Sequence, residues 1–297
     1  MTTFGISERR ACELLGVWRS SCRYKPKPDQ DTELRQKLVS LAHERPRFGY
    51  RRLGVLLSRS GVIVNHKRLF RVYREAGLSV RRTRRKKLIR VGVRQAVLTA
   101  PNQEWSLDFV SDALATGRTL RLLSIVDNFT RECLALEVDT SFASERVTRV
   151  LDGIIERRGR PAALRMDNGP ELTSRHFLSW CVENKLAMNH IQPGKPMQNG
   201  LMESFNGRLR DECLNVNWFR NIFEARRKIA SWQRDYNSTR PHSSLAYRTP
   251  EEFAQQWSRR SSSTALIPQP EPSVKASLTA CSGAALTDEP GCGRTPL

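Results

Sequence analysis

Gln192-Pro-Gly-Lys-Pro-Met-Gln-Asn-Gly-Leu-Met-Glu203-Ser-Phe-Asn-Gly-Arg-Leu-Arg210-Asp-Glu-Cys213 is the stretch on which the reading of this chain turns. Pro193, Gly194 and Pro196 hold or free the backbone for turns and remove amide donors, so its first half is a loop. Its second half reads as a helix opening near Gln198 or Asn199. On that helix Asn199, Glu203 and Arg210 share one face. Leu201, Phe205 and Leu209, spaced by four residues, form the side that meets a core. A loop running into a helix that aims a carboxylate and a cation the same way is a candidate active-site wall. A helical Glu is also the commonest kind of solvated surface residue, so the other carboxylates decide between the two.

Upstream of this stretch, period-two patterns predict strands over 104–111 (EWSLDFVS), 119–127 (TLRLLSIVD) and 132–138 (ECLALEV). Gly117 marks a turn between the first two, which predicts a three-stranded antiparallel meander. Val147, Val150, Leu151, Ile154 and Ile155 give a helix over 144–158, stopped by Gly159 and Pro161. A short strand, 162–166, then delivers Asp167-Asn-Gly-Pro-Glu171. Helix 174–186 and strand 187–192 lead into the opening loop. Downstream, a helix over 221–236 offers Ile222, Phe223, Ile229 and Trp232 to a core, and Thr249-Pro-Glu-Glu252 caps a last helix. Strands first antiparallel, then alternating with helices, make a mixed α/β layer fold.

The charge is uneven along the chain. Residues 1–100 hold 25 Lys and Arg against 7 Asp and Glu, net +18, whereas 101–258 hold 21 against 20, net +1. A cationic module beside a neutral one implies a polyanionic partner, most simply nucleic acid. The module reads as short helices: two within 6–24, with Ser7 as a cap and Ala11, Leu14 and Leu15 as a stripe, then 31–44, a helix around Leu53, Leu56 and Leu57, and one from Asn65 to Gly77. The last three have the size of a helix-turn-helix unit. The final helix carries His66, Lys67, Arg68, Arg71 and Arg74, suited to phosphates and base edges, or else a solvated basic face. Arg81, Arg82, Arg84, Arg85, Lys86 and Lys87 follow in a run that would repel itself without a polyanion. The expected organisation is a helical DNA-binding region (1–80), a basic linker (81–101), an α/β core with C-terminal helices (102–258) and a disordered tail (259–297) rich in Ser, Pro and Ala.

Seven scattered cysteines with no C-x-x-C pair exclude a zinc ribbon and a disulfide framework, and point to a reducing cytoplasm. No run is apolar enough to span a bilayer, so a membrane partner is not expected. Gly194-Lys195-Pro196 lacks the rest of a phosphate loop, so ATP use is not expected. Arg240-Pro-His242 is either a DNA-contacting loop or a lock between the last helices.

Asp108 interrupts a β-rich run whose neighbours Leu107 and Phe109 point to the other face. Asp167 ends a short strand, although Asp-Asn-Gly is also a common turn signal. Glu203 lies beyond, with 35 residues between it and Asp167. Gathering three carboxylates in one cleft requires cations, and oxygen-only ligands suit Mg²⁺ or Mn²⁺ rather than zinc. Two such ions can activate a nucleophile and stabilise the leaving oxygen of a phosphodiester. Glu171 and Asp127 are ordinary acids by comparison.

This order and spacing, with Arg210 seven residues after Glu203, resembles the DDE pattern of the retroviral-integrase and transposase superfamily. W-S-L-D-F, D-N-G-P-E, the opening stretch and Y-N-S-T-R-P-H-S-S-L closely resemble the larger-frame (OrfB-type) transposases of bacterial insertion sequences, over about residues 6–255. The resemblance implies an RNase-H-like integrase core with Asp108 on the first strand, Asp167 after the fourth and Glu203 on a helix. It also implies a nucleoid-associated enzyme that nicks element ends with Mg²⁺ or Mn²⁺, two ions per site, and joins the exposed 3′-hydroxyl to target DNA. Lys195 and Arg210 would then contact DNA, and the partners would be further copies on DNA and the product of an upstream frame. The zinc-binding N-terminal domain of the retroviral relatives has no counterpart here. The rival readings are a metal-dependent nuclease without strand transfer and a DNA-binding repressor of its own element.

Overall fold

Short amphipathic helices come first: α1 (Glu8–Leu14), α2 (Arg19–Cys22), α3 (Thr32–Glu44), α4 (Tyr50–Arg59) and α5 (His66–Glu75). The computed structural model describes residues 5–25, 31–80, 97–191 and 199–264. The linker cations Arg81, Arg82, Arg84, Arg85, Lys86 and Lys87, the loop residue Lys195 and the tail beyond Thr264 lie outside the described residues. Leu34, Leu38, Leu53, Leu57, Leu69, Val72 and Tyr73 close a small core between α3, α4 and α5. Asn65 caps α5 by accepting from the Lys67 amide, and Ser7 caps α1 by accepting from the Arg10 amide. The stripe expected on α1 is corrected: Leu14 and Leu15 are exposed, and Cys12 is the residue that is buried. A seven-residue helix has too few turns to bury two successive positions.

The strands follow as β1 (Glu104–Ala113), β2 (Thr119–Asp127) and β3 (Cys133–Asp139), then α6 (Ser144–Arg158), β4 (Ala163–Met166), α7 (Arg175–Glu183) and β5 (Ala187–His190). They form one mixed sheet in the order β3-β2-β1-β4-β5. The first three make the expected antiparallel meander, turning at Gly117 with a positive φ that a side chain resists, and β4 and β5 add in parallel. Trp105, Leu107, Leu123 and Ile125 face α6 and α7, where Val147, Leu151, Phe177 and Cys181 meet them. The opposite face carries Val110, Leu120, Leu122 and Val126.

That second face is covered by α8 (Gly200–Leu209) and α9 (Ile222–Ser238); α10 (Pro250–Thr264) comes last among the described helices. Met202, Phe205 and Leu209 are the buried positions of α8, with Leu201 packed at the margin. On α9, Ile229, Trp232 and Tyr236 are buried, but Phe223 is exposed, contrary to expectation. Ala225 takes the inward place instead, because Asn221 caps the helix and sets its rotation one position off. Thr249 and Glu252 form a reciprocal cap on α10, each amide bonding the other's side chain. The helix runs to Thr264, past the boundary expected at residue 258.

The turn between α3 and α4 fastens the helical region to α9 and its surroundings. Arg45 forks onto Asp235 with two 2.5 Å bonds, and Arg47 reaches Asp211 at 2.7 Å. The Phe48 ring lies beneath the guanidiniums of Arg45, Arg52 and Arg240 at 5.8, 5.5 and 5.6 Å. Arg240 is 1% exposed and grips Glu212 through both carboxylate oxygens at 2.8 and 2.5 Å. His242 packs edge-on against Tyr236, and burial together with Arg240, Arg208 and Arg52 pushes its imidazole down to about 2. Of the two readings of the Arg240-Pro-His242 segment, the structure favours the lock. Replacing Arg240 by Met should cost about 3–5 kcal/mol in urea unfolding, because Glu212 is left as a buried, unpaired charge. Replacing Arg240 and Glu212 together by Met should return most of that loss.

Candidate active site

β1 places Glu104, Ser106, Asp108 and Val110 on one face, the face that α8 covers. Asp108 stands directly opposite Ser124 of β2. The parallel register pairs Ser106 with Arg165 of β4, so two residues further along, Asp108 comes beside Asp167 just past the end of β4. Asp108 is half-buried. Its Oδ1 accepts from the Phe109 amide at 2.8 Å and its Oδ2 from the Asn206 side-chain amide at 2.6 Å. The Ser124 hydroxyl donates to the Asp108 carbonyl at 3.0 Å and lies 3.3 Å from Asn206 Oδ1. Asn206 is three residues after Glu203, on the same face of α8. One helix face therefore both orients Asp108 and carries Glu203, which is exposed.

Burial raises the Asp108 carboxyl to about 6, with repulsion from Asp167 and Glu203 adding to it and the Phe109 and Asn206 bonds working against it. The three predicted carboxylates thus feel one another. They do not close into a ready-made metal cluster, since among the described residues no three His, Cys, Asp or Glu side chains are gathered for that. Like charges without a cation between them hold apart. Asp167 also fulfils the turn reading, because its Oδ1 accepts from the Gly169 amide at 3.2 Å. Gly169 has a second use. A Cβ there would stand 3.2 Å from Asp167 Oδ1 and 3.3 Å from Glu171 Oε2, so only glycine lets both carboxylates crowd this corner.

Glu171 is less ordinary than its sequence context suggests. Its Oε1 takes a 2.5 Å bond from Arg121, while its Oε2 is buried with no hydrogen-bond partner. Burial opposes ionisation of Glu171, but the Arg121 bond prevails and holds its carboxyl below the usual range. Asp127, in contrast, is structural: fully buried, it accepts from the amides of Asn102, Phe129 and Thr130 in the turn after β2. Asn206 and Ser124 were missed from sequence. Their signals were a polar residue three beyond Glu203 and a small hydroxyl inside an apolar strand.

The candidate DNA contacts are spread more widely. Arg210 is exposed and donates to the Ser111 carbonyl at 3.3 Å, in a π-helical turn (Arg210–Leu214) that follows α8. That wider turn removes it from the helical face it was expected to share with Glu203, and Asn199 is buried rather than facing solvent beside them. His66 and Lys67 are exposed at the start of α5. Arg68 and Arg71 are also on its surface, but the buried Asp31 takes a 2.6 Å bond from one and a 2.5 Å bond from the other.

Two integrase-core domain models match residues 99–196 and 184–250, and a helix-turn-helix-like domain model matches residues 29–87. The uncharacterized 31.7 kDa protein of insertion element IS407 of Burkholderia multivorans is 51% identical over 251 residues, covering 84% of this chain and 91% of its own. A 39.2 kDa protein of insertion element IS476 of Xanthomonas euvesicatoria is 48% identical, covering 84% and 72%. The transposase InsD of insertion element IS2D of Escherichia coli is 28% identical, covering 76% and 79%.

A carboxyl raised in the fold binds its proton more tightly there than in the unfolded chain, so its contribution falls as pH rises from the unfolded value to about 6. Asp108→Asn should therefore stabilise the protein by about 2–3 kcal/mol at neutral pH, and the gain should vanish below about pH 4. Urea unfolding of both proteins across this range measures it.

Proposed function

The chain belongs to the insertion-element transposases that carry an integrase core, and from that premise we propose that it nicks DNA at the ends of its element and transfers the freed strand to a target. The observation that carries this is the Asp108 corner: an oxygen-only group of acids, electrostatically coupled, aimed by one helix face. Asp108, Asp167 and Glu203 would hold divalent metal, Mg²⁺ or Mn²⁺, with two ions per site. The fit rests on three features of the corner: the raised Asp108 carboxyl, the repulsion among its acids and the unpartnered Glu171 Oε2 beside Asp167. When bound, such ions supply Lewis-acid activation of the attacking oxygen and charge neutralisation at the leaving one.

The chain's own side chains do the positioning. Asn206 and the Phe109 amide fix both oxygens of Asp108, so its plane is set before DNA arrives. Gly169 leaves room for Asp167 and Glu171 together. Glu203, exposed on the covering helix, faces the side from which a phosphodiester would approach. Water is the nucleophile of the nicking step and the DNA 3′-hydroxyl that of the joining step.

DNA would be held by the helix-turn-helix region through His66, Lys67, Arg68 and Arg71, by Arg210 near the acids, and by Lys195 and the linker cations Arg81, Arg82, Arg84, Arg85, Lys86 and Lys87. For Arg68 and Arg71, DNA phosphates compete with Asp31. The same reading includes self-association on DNA, a contribution from an upstream-frame product and work at the nucleoid. Among the described residues no helix is long and apolar enough to cross a membrane.

Labelled element-end DNA and Mg²⁺ provide the test. Glu203→Gln should lower nicking and joining by at least about a hundredfold while duplex affinity changes by no more than about twofold. Loss of binding with retained cutting would overturn the role given to Glu203. In a thermal melt, Mg²⁺ should raise the wild-type midpoint and leave that of an Asp108→Asn/Asp167→Asn double variant unmoved.

A further inference from the structure

Beside the acids, on the same sheet face, lies a cavity of about 400 Å³. Ser106 forms part of its floor, two residues before Asp108 on β1 and so about 7 Å from it along the strand. Asn128, from the turn after β2, and Asn199, at the start of α8, line it as well. All three are more than nine-tenths buried, and each has a polar atom with no hydrogen-bond partner: Ser106 Oγ, Asn128 Oδ1 and Asn199 Oδ1. Buried groups of this kind are rarely left unpaired, and each such gap costs about 1–3 kcal/mol. The orientation of Asn128 is fixed, because its amide donates to the Glu104 carboxylate at 2.6 Å and its carbonyl must then face the cavity. Asn199 sits at the helix cap without capping it.

The rest of the lining supplies flat apolar surface and positive charge. Phe129 and Phe253 stand with ring centroids 5.4 Å apart, and Arg131 and Arg165 reach the same space. Glu104 contributes no free acid, since Arg165, Asn189 and Asn128 occupy both of its oxygens. Two inward carbonyls and a hydroxyl ask for a ligand rich in N–H donors. Aromatic walls ask for a planar one, and arginines at the margin ask for one attached to phosphate.

We propose that this cavity receives a single unstacked nucleotide of a DNA strand, bearing a base with an exocyclic amine, when the adjoining phosphodiester lies at Asp108. The base would donate to Asn128 and Asn199, Ser106 would bond its edge, and the aromatic rings would cover its face. The assignment rests on the DNA-cutting reading above and deepens it. It adds a place that takes one base out of the duplex and so recognises a DNA end by its readiness to fray.

Fluorescence anisotropy tests it, with the full chain at one fixed salt concentration. Three probes are needed: a blunt element-end duplex, the same duplex with a short single-stranded dA tail, and the tail with abasic sites in place of its bases. Wild type should bind the dA tail about tenfold more tightly than the abasic tail. Asn199→Leu and Ser106→Ala should each erase that preference while melting within a few degrees of wild type. Two variants are used so that one misfolded protein does not decide the matter. Equal binding of the dA and abasic tails by a wild type that still nicks the blunt duplex would overturn the cavity assignment alone. Preference retained in both variants would overturn it too. Displacement of the tail by micromolar free dAMP would make a mononucleotide the ligand and reject the DNA-strand assignment. A wild type that neither binds nor nicks the duplex would bring down the DNA-cutting reading together with this one.

Discussion

The 2.6 Å bond from Asn206 to Asp108 is the contact on which the geometry of the site depends. It joins the central strand of the sheet to the helix that covers it, and it does so between a raised carboxyl and a neutral amide. That choice of partner matters. An arginine in place of Asn206 would have drawn the Asp108 proton off and occupied the space a cation needs. The amide fixes direction while leaving the charge uncompensated. The apolar contacts of Met202, Phe205 and Leu209 beneath it set the height of the helix, so that the amide arrives at bonding distance.

Much of this could be read from the residues. Alternation in 104–111 and 119–127, with Gly117 between, was enough for the meander, because a half-buried strand must alternate and a tight turn favours glycine. Asn65 and Ser7 announced their helices by capping chemistry, which is local. The three acids were visible because each sits at the end or centre of a readable element. What escaped is non-local. Leu14, Leu15 and Phe223 have sound helical spacing, but periodicity does not say which side of a helix meets a neighbour. Asp31 takes bonds from Arg68 and Arg71 across 37 and 40 positions, and no pattern within α5 foretells it. The π-helical turn at Arg210–Leu214, which shifts every later residue around the axis, has no compositional sign.

The distribution of positive charge is also more particular than the composition suggests. Several arginines of the helical region are spent on protein acids: Arg45 on Asp235, Arg47 on Asp211, Arg59 on Glu252. The large excess of cations in the first hundred residues is therefore partly mortar. Some of the remaining positive charge falls on the linker, which lies outside the described residues, and on the exposed start of α5.

Phe48, Arg240, Glu212 and α8 form an unbroken series of packed groups that ends at Asn206 and Asp108. Its first member belongs to the helices and its last to the acids, and no flexible joint intervenes. Pulling on the helices therefore tilts the carboxylate. Grip on a duplex is in this way convertible into aim, and a scissile bond presented on slack DNA would meet a less well-trained acid than one presented under tension.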